Sequence, residues 1–206
     1  IARMARRRDG AASAREWLVL AAVSVVPLAA VPASFALVKE PRRPPPQLLT
    51  PTGEPILAAA PPEEATPMGA RLESGIVLEA ARVDFEPRDE EHGPIATVEL
   101  DWRFEQPVPP GLGVFIQVER QGFHFGSDRV LLSGVLLPEG APLHTTVRDV
   151  SDPLAIPEEK KETTWNVYAG LWRARRDMTR VKVVDPGPST VNNDRVLVGT
   201  FVAPAK

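Results

Sequence analysis

Three histidines, His92, His124 and His144, are the first residues to examine for chemistry. Each stands alone, without the HxH or HxxxH spacing that sets two imidazoles on one metal. His124 and Asp128 lie four apart in GFHFGSDR and could share an ion only if a loop folded back on itself, so a surface loop histidine is the simpler expectation. Asp89-Glu90-Glu91-His92 lacks the spaced oxygen ligands of a calcium loop and reads as a solvated acidic turn. Ser133 in LLSGV has neither the glycines of a nucleophile elbow nor a basic partner nearby. Gly111-Leu112-Gly113 follows two prolines with no helix after it, which makes a hairpin turn rather than a phosphate cradle. Glu99 and Asp101 point the same way in an extended strand, as a glycosidase pair would, but on its polar face, where ordinary solvation accounts for them. No catalytic, cofactor-binding or metal residue is expected, and the chain is not expected to be an enzyme.

Two further groups suit contact rather than catalysis. LWRARRDMTRVK carries Arg173, Arg175, Arg176, Arg180 and Lys182, a basic segment fit for anionic headgroups, for an acidic partner, or for plain solvation at a hairpin tip. Tyr168 and Trp172 share the strand face opposite Trp165 and either cover a second core layer or form an interface patch.

The bulk composition limits what can hold such residues in place. The chain has 206 residues, a net charge of −3 and no cysteine. Disulfides, thiolate metal sites and thioether haem attachment are therefore excluded, and no overall field draws it to nucleic acid. Proline is high, at 23 residues, about twice the usual ~5%. The richness in Ala, Val, Arg and Pro suits a high-GC bacterium.

Residues 1–16 are basic, with Arg3, Arg6, Arg7, Arg8 and Arg15 against Asp9 and Glu16, and residues 17–38 contain no charge. As a helix, residues 17–38 would be ~33 Å long, which matches a hydrocarbon core of ~30 Å. Trp17 stands at the headgroup level, Leu20, Val23, Leu28 and Phe35 supply apolar surface, and Pro27 and Pro32 interrupt the helix. The arginines outweigh Lys39, Arg42 and Arg43 beyond the run, placing the N-terminus in the cytoplasm and the rest outside an inner membrane. A rival reading is a secretory signal cut after Ala36. Both readings export the remainder of the chain.

Residues 39–71 are proline-rich, and Pro44-Pro45-Pro46 favours polyproline II. The prolines argue against a long helix or a central strand here. The segment is either a spacer or a strap whose knobs, Leu48, Leu49, Ile56, Leu57 and Met68, dock on a neighbouring subunit.

From residue 72 to 206 the hydrophobic period becomes two. Val98, Leu100, Trp102 and Phe104 fall on one face of VELDWRFE; Val114, Ile116 and Val118 alternate likewise, as do Trp165, Val167, Ala169 and Leu171. RVLVGTFV places Val196, Val198, Thr200 and Val202 on one side. Residues 76–85, 128–132, 145–150 and 179–184 are weaker strand candidates, with turn signals such as LPEGAP, DPGPST and NND between the runs. The expected fold is all-β, an antiparallel β-sandwich of about eight strands, preceded by a single N-terminal transmembrane helix and a proline-rich extended linker.

The order Trp102-Arg103-Phe104, Val114-Phe115-Ile116, Leu131-Leu132-Ser133-Gly134, Tyr168-Ala169-Gly170-Leu171-Trp172 and Asp194-Arg195-Val196-Leu197-Val198-Gly199 resembles the small β-sandwich modules on the extracytoplasmic side of bacterial membrane proteins, some of them glycosyltransferases. The resemblance covers roughly residues 73–203. It implies a sandwich fold and no catalytic residues.

These features point to a non-catalytic accessory subunit of a multi-subunit bacterial inner-membrane complex, of respiratory or photosynthetic type. Its expected partners are integral membrane subunits and the bilayer, with contacts through Leu48, Leu49, Ile56, Leu57, Tyr168, Trp172, Arg173, Arg175 and Arg176. The alternative is a membrane-tethered periplasmic module that binds a carbohydrate on exposed Trp172, Tyr168, Phe123 or Phe125. A hydrolase would need a cleft with converging polar groups.

Overall fold

A computed structural model describes residues 48–50, 55–58, 60–89, 93–134, 136, 140–173 and 179–206. The expected membrane helix, with Trp17, Leu20, Val23, Pro27, Leu28, Pro32 and Phe35, lies outside these residues. So do His92, Arg175 and Arg176.

The described chain is all-β. Its strands are β1 (Leu57–Ala58), β2 (Thr66–Leu72), β3 (Ile76–Asp89), β4 (Gly93–Phe104), β5 (Leu112–Arg120), β6 (Phe123–Val130), β7 (Thr146–Val150), β8 (Leu154–Ala155), β9 (Thr163–Arg173), β10 (Val183–Asp185), β11 (Val191–Asn192) and β12 (Arg195–Ala203). They form two sheets, ordered β1-β7-β4-β3-β2-β10, with β8 also on β4, and β11-β12-β9-β5-β6. Every strand pairing is antiparallel. The inner faces of both sheets contribute to one apolar core, a sandwich-like arrangement.

Strict alternation produced the core of this packing. Val98, Leu100, Trp102 and Phe104 of β4 have no exposure, and neither have Trp165, Val167, Ala169 and Leu171 of β9. Phe85 of β3 and Phe201 of β12 stack at 4.5 Å between ring centroids.

Three details depart from the sequence expectations. First, β2 lies within the proline-rich stretch and pairs with β3, with Met68, Ala70 and Leu72 buried. Pro67 is tolerated because β10 pairs only with Arg71 and Leu72, so among the described residues β2 has no strand partner on that side at Pro67. Second, residues 105–111 do not close a hairpin. They carry the chain from β4 in one sheet to β5 in the other. Third, Thr200 and Val202 turn outward, Val202 being 49% exposed, and Phe201 and Ala203 take the inner places. A register shift between Leu197 and Gly199 reverses the phase of β12. A Cβ at Gly199 would lie 2.6 Å from Val83 Cγ2, so glycine lets the shifted strand approach β3.

The NND signal forms as expected. Asn193 and Asp194 have φ of 51° and 58°, the pair of left-handed residues that a two-residue turn between β11 and β12 requires.

The proline-rich stretch also holds β1. Leu57 and Ala58 pair with Val147 and Thr146, and Ile56 C=O accepts a hydrogen bond from Arg148 N–H at 2.7 Å. Ile56 is buried in the core of its own chain and Leu48 packs against that core, whereas Leu49 and Leu57 are 45% and 43% exposed.

Candidate interaction surfaces

The outer face of the first sheet is a lattice of charges. Cross-strand register sets Arg82 beside Glu99 and Asp101 beside Arg148. Arg148 Nε lies 2.8 Å from Glu99 Oε1 and 3.2 Å from Asp101 Oδ1, and Arg82 Nη2 lies 3.2 Å from Glu99 Oε2. Glu79, the extra residue where the β3 register shifts, takes Arg103 at 3.3 Å and a hydrogen bond donated by Thr146 Oγ1 at 2.7 Å. Arg103 and Arg71 then meet Glu105.

Glu99 and Asp101 are thus not solvated: their exposures are 4% and 0%. The arginines of adjacent strands take the place of water, and the outward-facing Ala80 and Val150 beside them are also buried. Burial pushes the Asp101 carboxyl above its ordinary range, against the opposing pull of Arg148. Its Oδ2 atom is buried with no hydrogen-bond partner among the described residues. The arrangement resembles no glycosidase pair, because both carboxylates are closed in by guanidinium groups.

At one edge of the two sheets, Arg129 of β6 and Asp149 of β7 bond across the gap. Both residues occupy inward positions of their strands, opposite Val114 and Leu100. Arg129 Nη1 and Nη2 donate to the two carboxylate oxygens at 2.7 and 2.9 Å. The backbone N–H of Leu132, in the short 3-10 turn Leu131–Gly134, supports the same carboxylate. Burial raises the Asp149 carboxyl, and Arg129 opposes that shift.

The outer face of the second sheet carries an aromatic layer and a groove of about 380 Å³ lined by Phe115, Gln117, His124, Asp128, Trp172 and Arg180, among others. Trp172 lies against Gly113, and Phe115 lies against Gly170. Arg180 covers the Phe115 ring at 5.0 Å and donates from Nη1 to Asn193 C=O at 2.8 Å. Arg195 covers Tyr168 at 4.5 Å, and its Nη1 donates to Gln117 and Glu119, both at 2.8 Å.

Tyr168 is buried beneath Arg195, and half-buried Trp172 forms one wall of the groove. Arg173 is held by Glu73, with Nη2 2.8 Å from Oε2, and this bond keeps the Glu73 carboxyl below its usual range. Phe123 and Phe125 pack with Trp165 at the β5–β6 hairpin, and Arg120 caps Phe123 and Trp165 at 5.3 and 5.4 Å.

His124 and Asp128 lie on strand β6, not on a loop. Four residues of strand separate them by about 13 Å, too far to share an ion. Among the described residues no three His, Asp or Glu side chains converge as a metal site would need. Sequence reasoning passed over Arg129 and Asp149, although a charge in the inward phase of each strand was the available signal.

No protein-family model matches the chain, and no curated protein matches it either.

Proposed function

We propose that this chain is a non-catalytic accessory subunit of a multi-subunit bacterial inner-membrane complex, anchored by residues 17–38, with its β domain on the periplasmic side. The observation that carries the reading is the alternation within the strap. Leu48 and Ile56 turn into the chain's own core, while Leu49 and Leu57 stand exposed. A strap held this way presents apolar side chains along one edge of the sheet, where an integral membrane partner would cover them. The charged side chains of the first sheet's outer face are meanwhile committed to one another, which suits a structural part better than an enzyme.

The test is recovery of the chain from gently solubilised native membranes through a tag after Lys206, with intact-mass analysis. Stoichiometric membrane subunits should come with a bait that retains residues 1–38, and Leu49→Ser/Leu57→Ser should weaken their recovery. A bait cut after Ala36 and recovered alone would refute the proposal.

A second reading rests on the groove walled by Trp172. A periplasmic module binding a carbohydrate would stack a sugar ring there, and Trp172→Ala would abolish retention on a glycan array. Tyr168, beneath Arg195, offers no such platform.

A further inference from the structure

The two sheets end in strands of unequal length. Three of the four ends are β1, β10 and β11, of two or three residues each. The fourth is β6, Phe123–Val130, with eight residues and, among the described residues, no strand on its outer side. The two-residue turn at Gln121-Gly122 makes Arg120 and Phe123 the closing pair of the β5–β6 hairpin. By the alternation of an antiparallel ladder, the N–H and C=O groups of His124, Gly126, Asp128 and Val130 then point away from β5. An edge with this many outward backbone groups is a template for another strand.

We infer that a second copy of this chain pairs with β6, antiparallel and about a two-fold axis at Gly126. The side chains select both the occupant and the register. His124 and Asp128 are exposed on the same face, and neither makes a hydrogen bond or ion pair among the described residues. Within one strand they stand too far apart to meet. Across a dyad at Gly126, His124 of each copy lies directly opposite Asp128 of the other, so an imidazole N–H donates to a carboxylate twice.

That register also pairs outward-facing backbone groups with one another, as a hydrogen-bonded ladder requires. Gly126 brings no side chain to the axis, and a Cβ there would lie 2.1 Å from the Ile116 carbonyl oxygen. Arg129, the other charge of β6, is held inward by Asp149 and leaves the edge clear. The pairing joins two five-stranded sheets into one and is isologous, hence closed. It stands independently of the membrane reading.

The test uses the full chain in a mild detergent. Because the chain contains no cysteine, a single introduced thiol reports one position. His124→Cys and Asp128→Cys variants, mixed and oxidised with diamide, should form a disulfide-linked dimer. Their Cα atoms would be about 5.5 Å apart, within disulfide range. Either variant alone should not, since its own position recurs about 13 Å away in the partner. In sedimentation equilibrium, Asp128→Lys should weaken the dimer about tenfold, and the swap His124→Asp/Asp128→His should restore it. A native chain that stays monomeric overturns the inference. So does cross-linking of each variant with itself as readily as with the other. A circular dichroism spectrum of native shape shows that each variant has folded.

Discussion

Arg129 and Asp149 close one edge of the sandwich-like core, each reaching inward from a strand of a different sheet and meeting through two parallel bonds. Their side chains are 11% and 1% exposed. A charge left alone in such a place has little water to turn to. Asp149→Ala should therefore cost about 3–5 kcal/mol in a urea unfolding series, while Arg129→Met/Asp149→Leu should cost much less than the two single changes added together. Additive costs would show that the pair contributes no coupling.

Asp101 makes stability depend on pH in a definite direction. Its carboxyl is raised by burial, so the folded state holds the proton more tightly than the unfolded chain does. The stability this adds is complete below the ordinary Asp value of about 3.9 and is lost as pH rises through the raised value. Asp101→Asn removes that proton linkage. The native chain should therefore lose stability relative to the variant between pH 4 and neutrality, as read from unfolding midpoints. A constant difference across that range would contradict the assignment.

Glu73 works in the opposite sense. The hydrogen bond from Arg173 keeps its carboxyl low, so its contribution is present above the ordinary Glu value of about 4.3 and fades as pH falls through the lowered one. Glu73→Gln should lower the unfolding midpoint at pH 7 and leave it unchanged well below pH 4.

The strap's two kinds of apolar residue should behave differently. Ile56 is 2% exposed and Leu57 is 43% exposed. Ile56→Ala should cost about 2–5 kcal/mol, whereas Leu57→Ala should stay within about 0.5 kcal/mol. Equal, small effects in guanidinium unfolding would show that the strap contributes nothing to the fold.

Trp172 depends on the missing side chain at Gly113, where a Cβ would lie 2.5 Å from its Cε2 and Nε1 atoms. Gly113→Ala should lift the indole away from the sheet and cost about 1–3 kcal/mol. Trp102 and Trp165 have no exposure, so the rise in acrylamide quenching relative to the native chain should come from Trp172.

Strand β4 was legible because its apolar residues alternate without interruption from Val98 to Phe104, and burial on one face follows directly. Strand β12 was legible as a strand but not in phase beyond Val198. A register shift carries no mark in a hydrophobic pattern until the residue that needs glycine, Gly199, is seen against Val83. Strand β2 was hidden by Pro67, and that β10 pairs with β2 only at Arg71 and Leu72 is a fact of topology. Glu99 and Asp101 were assigned to solvent because a polar face ordinarily is solvated. Their burial depends on Arg148, which lies far along the chain and becomes adjacent only once β7 has paired with β4. The edge character of β6 was likewise invisible before strand order was known, although His124 and Asp128 stand together in GFHFGSDR.

The pairing of β1 with β7 also decides where a pull on the N-terminal side of the chain is first resisted. Tension arriving through residue 48 meets the Leu48–Ile56 contacts and the short β1 ladder before it reaches β2. Two paired residues should unzip at low force, and the chain from residue 48 to 65 would then extend by up to about 60 Å before β2 is loaded. These contacts would thus act as a fuse: a pull on residue 48 would release them first and lengthen this segment, while β2 and the strands beyond it stay paired.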